Sequence, residues 1–406
     1  MRILVACQHY WPEPFNTADV CEELVRRGHE VTVITALPNT GMPGNEIPVE
    51  YRDGSHSDEI RNGVRVLRAN LHPRRSGAKN RIFNYLSFWW NANKIARRLP
   101  SGYDVALGYQ FSPVMQVDPA LVYAKRNGIK ALLYCFDLWP ASLLAGGFAE
   151  SGLPFRWMRK VSRRIYRQAD RIAVTSPLFD EYFRGELGLH IQESAYLPQF
   201  ADDIFSESED VKFLPEGYER DKCNLTFAGN VGQAQSVNTI IEAAALLSNE
   251  PSIHFHIVGS GSQLEACRTC AKRLGLNNVT FHGRRPIEDM PLYYAASDAM
   301  LVTFEESPMA RYTLPRKVTT YLAAGRPVLA AAEGETERVI TAAGCGMCCP
   351  MADANGLARI AREFAGSVDK EAMGAASKRF YADNFTKEIF FSRLESLLLE
   401  LTRKDD

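Results

Sequence analysis

Apolar residues in this chain gather in short unbroken runs, separated by longer stretches with helical spacing. Arg2-Ile-Leu-Val-Ala-Cys7, His29-Glu-Val-Thr-Val-Ile-Thr35, Lys130-Ala-Leu-Leu-Tyr-Cys135 and Arg171-Ile-Ala-Val-Thr175 read as buried strands. Val64 to Arg68 and the run opening at Tyr103 add two more. Between them the pattern predicts helices over Thr17 to Gly28, Ala120 to Asn127 and Pro154 to Arg171, and one opening at Ser176-Pro177. Thr17 is a plausible cap and Gly28 a stop. A segment near 197–222 is rich in acids, Pro and Gly and has little periodicity. The alternation then resumes. Strands are predicted at Leu225 to Ala228, His254 to Val258, Val279 to His282, Ala299 to Thr303 and Val328 to Ala331. Helices are predicted at Ser236 to Leu247, Leu264 to Leu274 and Ile287 to Ala296. Strand, helix, strand in repetition is the mark of parallel α/β sheets.

Composition narrows the class. A chain of 406 residues is too long for one core, so two domains are expected. The charge is balanced, 47 basic against 48 acidic residues, which argues against nucleic acid held by bulk charge. No apolar run reaches the length of a membrane span. Met1 to Cys7 enters a strand pattern at once, so no signal peptide is expected. Nine cysteines, mostly within apolar segments, fit reduced cytosolic thiols. Cys267-x-x-Cys270 with Cys345-x-x-Cys348 could form a four-thiolate zinc site, but the first pair falls inside a predicted helix rather than on a knuckle, and no metal is expected.

Four stretches carry chemistry. The first is 304–337, a polar loop followed by a helix that opens at Pro315 and stops at Gly325. Arg316 and Lys317 fall in its first turn, where the helix dipole disfavours cations. A bound anion would reverse the sign, because free N–H groups and two cations would converge on it; otherwise both side chains simply extend into water. The second is the pair of glycine turns Gly229-Asn-Val-Gly232 and Gly259-Ser-Gly261, each directly after a strand, where backbone N–H groups could approach a phosphate. The third is Asp137, at the carboxyl end of a strand, either facing a cleft or capping the next helix. The fourth is 72–98, with seven basic residues, no acid and a run of large aromatics. Such a helix suits an anionic membrane surface through Arg74, Arg75, Lys79, Arg81, Phe88, Trp89 and Trp90; it could equally pack its aromatics on a sheet.

Taken together, A-G-N-V-G at 228–232, I-V-G-S-G at 257–261, V-T-F-H-G-R at 279–284 and L-P-R-K with Y-L-A-A-G-R-P-V at 314–328 resemble the nucleotide-binding half of retaining family 4 glycosyltransferases. H-Y-W-P-E-P at 9–14, R-G-H-E-V-T-V-I-T at 27–35, P-N-T-G at 38–41 and F-D-L-W-P at 136–140 extend the resemblance over nearly the whole chain. It is nearest to the bacterial branch that builds O-antigen, capsule and colanic acid units, including fucosyl- and N-acetylfucosaminyl-transferases.

The resemblance implies a GT-B architecture: two Rossmann-like α/β domains facing across a cleft, the last helix crossing back to the first. It places an acceptor domain at 1–200, a linker at 201–222, a donor domain at 223–379 and the returning helix at about 380–406. It implies a nucleotide-sugar donor, UDP-linked by preference, bound through Asn230, Gly232, Gln233, Gly259, Gly261, Arg284, Glu306, Ser307, Pro315 and Tyr321. Catalytic roles fall to Asp137, Arg316 and Lys317, and acceptor contacts to Trp11, Glu13 and Asn16. No cofactor or metal is implied. The acceptor is expected to be a lipid-diphosphate-linked sugar, with the protein cytoplasmic and peripheral at the inner face of the inner membrane. The chain departs from the family in three places. The first turn, Asn230 to Ser236, carries no cation; the paired glutamates are missing; and Phe136 and Asp137 stand where a His is usual. A sugar-nucleotide binder without turnover, or a GT-B epimerase, are therefore the alternatives.

Overall fold

The structure is a computed structural model and describes residues 1–75, 77–189, 191, 194–206, 214–367 and 369–403. The linker stretch 207–213 and the chain end 404–406 lie outside the described residues. The chain divides into two compact units: Met1–Leu197 with Phe391–Asp406, and Pro198–Phe390.

The first unit is built on an eight-stranded sheet. Its strands are β1 (Arg2–Ala6), β2 (Glu30–Ala36), β3 (Asp58–Arg61), β4 (Val64–Ala69), β5 (Val105–Gln110), β6 (Ala131–Cys135), β7 (Arg171–Val174) and β8 (Ala195–Tyr196). The spatial order is β3-β4-β2-β1-β5-β6-β7-β8. All pairings are parallel except β3 with β4. Ile3, Leu4, Val5 and Ala6 are fully buried, as a central strand covered on both faces requires. Helices Thr17–Arg26, Ala78–Arg98, Asp118–Asn127 and Leu153–Gln168 connect the strands. The last of these ends at Gln168, short of the expected Arg171, which instead opens β7. Thr17 is not the cap of its helix; Asn16 holds that position and makes no side-chain cap bond.

The second unit has a six-stranded, all-parallel sheet: β9 (Cys223–Ala228), β10 (Ile253–Val258), β11 (Val279–Gly283), β12 (Ala299–Thr303), β13 (Val328–Ala331) and β14 (Gly346–Cys349). The order is β11-β10-β9-β12-β13-β14. Strand order reverses at β9, whose neighbours are β10 and β12, so the crevice above its carboxyl end is the place where such sheets bind ligands.

The chain closes with helices Ala354–Ser367, Lys370–Asn384 and Lys387–Thr402. Residues of the last belong to the first unit from Phe391 onward. There Glu395 bonds His29 at 2.9 Å and Arg27 at 3.2 Å, and the Arg27 guanidinium lies 4.9 Å from the Phe391 ring.

Candidate functional site

The carboxyl edge of the second sheet is assembled from the turns after β9, β10 and β12. The two glycine turns zip together. Gly229 N–H donates to the Val258 carbonyl at 2.9 Å, Val231 N–H to Ser260 at 2.9 Å, and Gln263 N–H to Val231 at 2.9 Å. A Cβ on Gly259 would sit 1.8 Å from the Gly229 carbonyl oxygen, and one on Gly261 2.3 Å from that of Val231. Glycine at 259 and 261 thus serves the close approach of two backbones; the Gly259 N–H is taken by the Gly283 carbonyl at 2.8 Å, while that of Gly261 is not used among the described residues. The donors left over in these turns are Asn230, Gly232, Ser260 and Gly261, whose backbone N–H groups make no hydrogen bond among the described residues. The loop after β12 is fastened beside them, with Glu305 N–H on the Ala234 carbonyl at 3.1 Å and Thr303 Oγ1 on that of Gln235 at 2.5 Å. Gln233 and Glu306 are exposed there. Ser307 caps the Pro308–Tyr312 helix by accepting from Met309 N–H at 3.2 Å. Arg284 is exposed after β11, beside the β10 turn.

The helix Arg316–Ala323 begins at this edge. Pro315 is its N-cap, in extended conformation, rather than its first residue. Lys317 is drawn inward: its Nζ lies 4.0 Å from the centroid of the Phe227 ring, and a Cβ on Gly229 would be 3.1 Å from it. Among the described residues it has no carboxylate partner, and loss of hydration lowers its pKa from 10.5 to about 7. It is therefore not the exposed first-turn cation that the sequence suggested. Arg316 is a second correction. Its guanidinium pairs with Asp202 and donates to the Phe200 carbonyl at 3.3 Å, so Asp202 is no free solvated acid. Tyr321 is a third. It is fully buried, and its hydroxyl donates to the Ala228 carbonyl at 2.9 Å, bracing the end of β9 rather than facing a ligand. The Phe227 platform under Lys317 was not singled out in the sequence, where it is one apolar residue in a strand.

In the first unit, Asp137 does follow the carboxyl end of β6. It caps no helix: Oδ2 accepts from Ser112 Oγ at 2.6 Å, and its carbonyl accepts from Gln110 Nε2 at 2.6 Å. Burial pushes its carboxyl up, only partly opposed by the Ser112 bond. Glu13 is a correction to the acceptor set. It is buried, with Oε1 accepting from the N–H groups of Asn39 (2.7 Å) and Thr40 (2.6 Å) and Oε2 at 2.6 Å from His9 Nδ1, so it holds loops together. Asn16 is likewise buried and accepts from the Tyr109 hydroxyl at 3.1 Å. Trp11 is exposed, with the Arg61 guanidinium 4.0 Å from its ring.

The helix Ala78–Arg98 divides its aromatics. Phe88 is fully buried, against the expectation of a membrane contact, because it lies on the face packed against β2 and β4 with Ala92 and Ala96. Trp89 donates through Nε1 to Asp118 Oδ2 at 2.7 Å, so it too is an internal anchor. Arg75 pairs with Glu46, and Arg74 is half-buried 5.6 Å from the Tyr85 ring, so neither is a free surface cation. Trp90 and Phe83 are 60% and 58% exposed. Lys79 and Arg81 are exposed near them. No described helix is long and apolar enough to cross a membrane. No group of three or more His, Cys, Asp or Glu able to hold a metal occurs among the described residues, and this covers both Cys-x-x-Cys pairs.

Comparison with known proteins agrees with this arrangement. The family described as "Glycosyl transferase 4-like domain" matches residues 16–198, and "Glycosyl transferases group 1" matches residues 222–366. WbjE of Pseudomonas aeruginosa, named as a probable glycosyltransferase, is 26% identical over 76% of this chain and 77% of its own. WcaI of Escherichia coli (strain K12), named for colanic acid biosynthesis glycosyl transfer, is 25% identical over 83% of this chain and 84% of its own. Among solved structures, a sucrose-phosphate synthase from Thermosynechococcus elongatus superposes with a TM-score of 0.74 at 17% identity, covering 98% of both chains. Anabaena Alr3699/HepE, solved with UDP and glucose, gives 0.68 at 16% identity, over 98% of this chain and 99% of that one. The two parallel-sheet units are those of the GT-B architecture.

Proposed function

We propose that this chain, whose second unit matches the glycosyl transferases group 1 family, is a glycosyltransferase that moves a hexosyl or N-acetylhexosaminyl group from a UDP-sugar, with retention, to a lipid-diphosphate-linked acceptor in surface polysaccharide assembly. The observation that carries the donor half is Lys317. An amine held without a carboxylate partner, at the amino end of a helix and beside the free N–H groups of Asn230 and Gly232, is a site waiting for negative charge. A diphosphate placed there restores the ammonium form and satisfies those donors. As the glycosidic bond breaks, charge grows on the leaving phosphate, which takes the acceptor proton. Lys317 and the helix end stabilise that charge without a metal ion. Asp137 is assigned to orienting the acceptor on the first unit. Arg316 supports the helix end through Asp202 rather than touching the donor.

The acceptor half rests on one exposed stripe of the Ala78–Arg98 helix. Lys79, Phe83, Trp90, Lys94 and Arg97 recur at helical spacing and are all exposed, so aromatics are flanked by cations on one face. This is the chemistry of an anionic lipid surface, and it supports the reading that the protein works at the inner face of the inner membrane. The fucosyl-type donor belongs to this same reading. A binder without turnover is the second reading, favoured by the engagement of Arg316 with Asp202 and the lack of a cation in 230–236.

Release of sugar from a labelled UDP-sugar, with and without a lipid-diphosphate acceptor and in EDTA, tests the proposal. Acceptor-dependent transfer in EDTA is expected, falling by about 10² or more in Lys317→Ala. Binding without transfer supports the second reading, and isomerised free sugar nucleotide an epimerase.

A further inference from the structure

The opposite edge of the second sheet carries a polar groove of about 840 Å³, a size that suits a small ligand. It is bordered by the amino ends of β9, β12 and β13, so it lies across the sheet from the nucleotide edge. Five cations line it against three acids. Two of the cations are neutralised: Lys222 bonds Glu219 at 2.6 Å, and Lys370 bonds Asp298 at 2.9 Å. Arg220, Arg326 and Lys378 have no carboxylate partner among the described residues, and Glu371 is the single acid left to face them.

Arg326 is the centre. It follows Gly325, whose φ of +65° turns the chain out of the 316–323 helix. Its Nη1 donates to the Ser297 carbonyl at 3.2 Å, while Nε is buried with no partner. Burial lowers the pKa of the guanidinium, with Asp298 opposing. Lys378 is held over the same turn: its stem packs so closely that a Cβ on Gly325 would come 2.6 Å from Cε. A buried donor without a partner costs stability unless something fills the gap, and a groove with surplus positive charge selects an anion to do so.

We propose that this groove is a second anion site that binds a small soluble phosphate ester through Arg326, Lys378 and Arg220. The competing explanation is that these cations only offset the negative end of the 316–323 helix dipole.

Thermal unfolding of the full chain in rising sodium phosphate, against sodium chloride of equal ionic strength, separates the two. The wild type is expected to gain Tm with phosphate beyond the chloride control. The gain should persist in Lys317→Met, which disables the nucleotide edge. In Lys378→Gln, an exposed position that leaves folding intact, half-saturation should need about tenfold more phosphate, as loss of one charge-assisted contact implies. No gain over chloride in the wild type, loss of the gain in Lys317→Met, or its full survival in Lys378→Gln overturns the proposal.

Discussion

Replacing Lys317 by Met should stabilise the unliganded protein while removing its response to nucleotide. The amine lies 4.0 Å from the Phe227 ring with no anion beside it, and its pKa falls from 10.5 to about 7. At 1.36 kcal/mol per pH unit, that depression weighs against the charged form by about 5 kcal/mol, an upper bound because the residue as a whole is only partly buried. Met keeps the length and apolar body of the side chain, so the expected gain is about 2–4 kcal/mol at pH 7. The sign with pH follows from linkage. Between about 7 and 10.5 the unfolded chain holds the proton that the folded protein has released, so wild-type stability from this group rises with pH across that window. The advantage of the Met variant is therefore full below pH 7 and shrinks by about 1.4 kcal/mol per pH unit above it. Urea titrations of both proteins at intervals from pH 6 to 9.5, followed at the transition of the second unit, measure this directly. A Met variant less stable than wild type at pH 7, or one that keeps the rising slope above pH 7, refutes the reading of Lys317 as an uncompensated buried cation.

Other outcomes follow from the same geometry. Gly259→Ala should unfold the paired turns and abolish nucleotide binding, since its Cβ would meet the Gly229 carbonyl at 1.8 Å; Gly185→Ala, in open space, is the neutral control in the same melting assay. His256 and His282, bonded to each other at 3.1 Å, have pKa values lowered by burial to about 2 and about 4. Both stay neutral when folded and protonate near 6.5 when unfolded, so stability should fall as pH drops below about 6.5, and His256→Asn should flatten that slope in pH-dependent denaturation. Trp90→Ala should weaken sedimentation with anionic vesicles and leave Tm unchanged. Trp89→Ala should lower Tm through loss of its Asp118 bond; equal effects of the two on vesicle binding would remove the exposed stripe from the proposal.

The alternation of strands and helices was readable because each central strand is an unbroken apolar run and each connecting helix keeps its own period. β3 escaped because Asp58-Glu-Ile-Arg61 is a polar edge strand, and β8 because two residues carry no pattern. The glycine turns were legible as turns, but not as partners: that Gly259 must clear Gly229 is a tertiary fact. Arg316 and Asp202 stand 114 residues apart, and nothing local marks them as a pair. The 78–98 helix has aromatics on several faces, so periodicity could not say that Phe88 turns inward and Trp90 outward. Glu13 misled for a related reason: a carboxylate after two loop aromatics resembles a ligand contact until the N–H groups of Asn39 and Thr40 are found on it.

The most direct test of the donor site is a calorimetric titration of the whole chain with UDP, GDP and ADP in EDTA, repeated with Lys317→Met. Binding at micromolar level is expected, UDP being favoured, with uptake of close to one proton at pH 8.5 as Lys317 regains its charge, and no such uptake in the variant. The absence of heat with all three nucleotides, or identical binding and proton uptake in Lys317→Met, would contradict the assignment of this edge as the place where the leaving diphosphate is held.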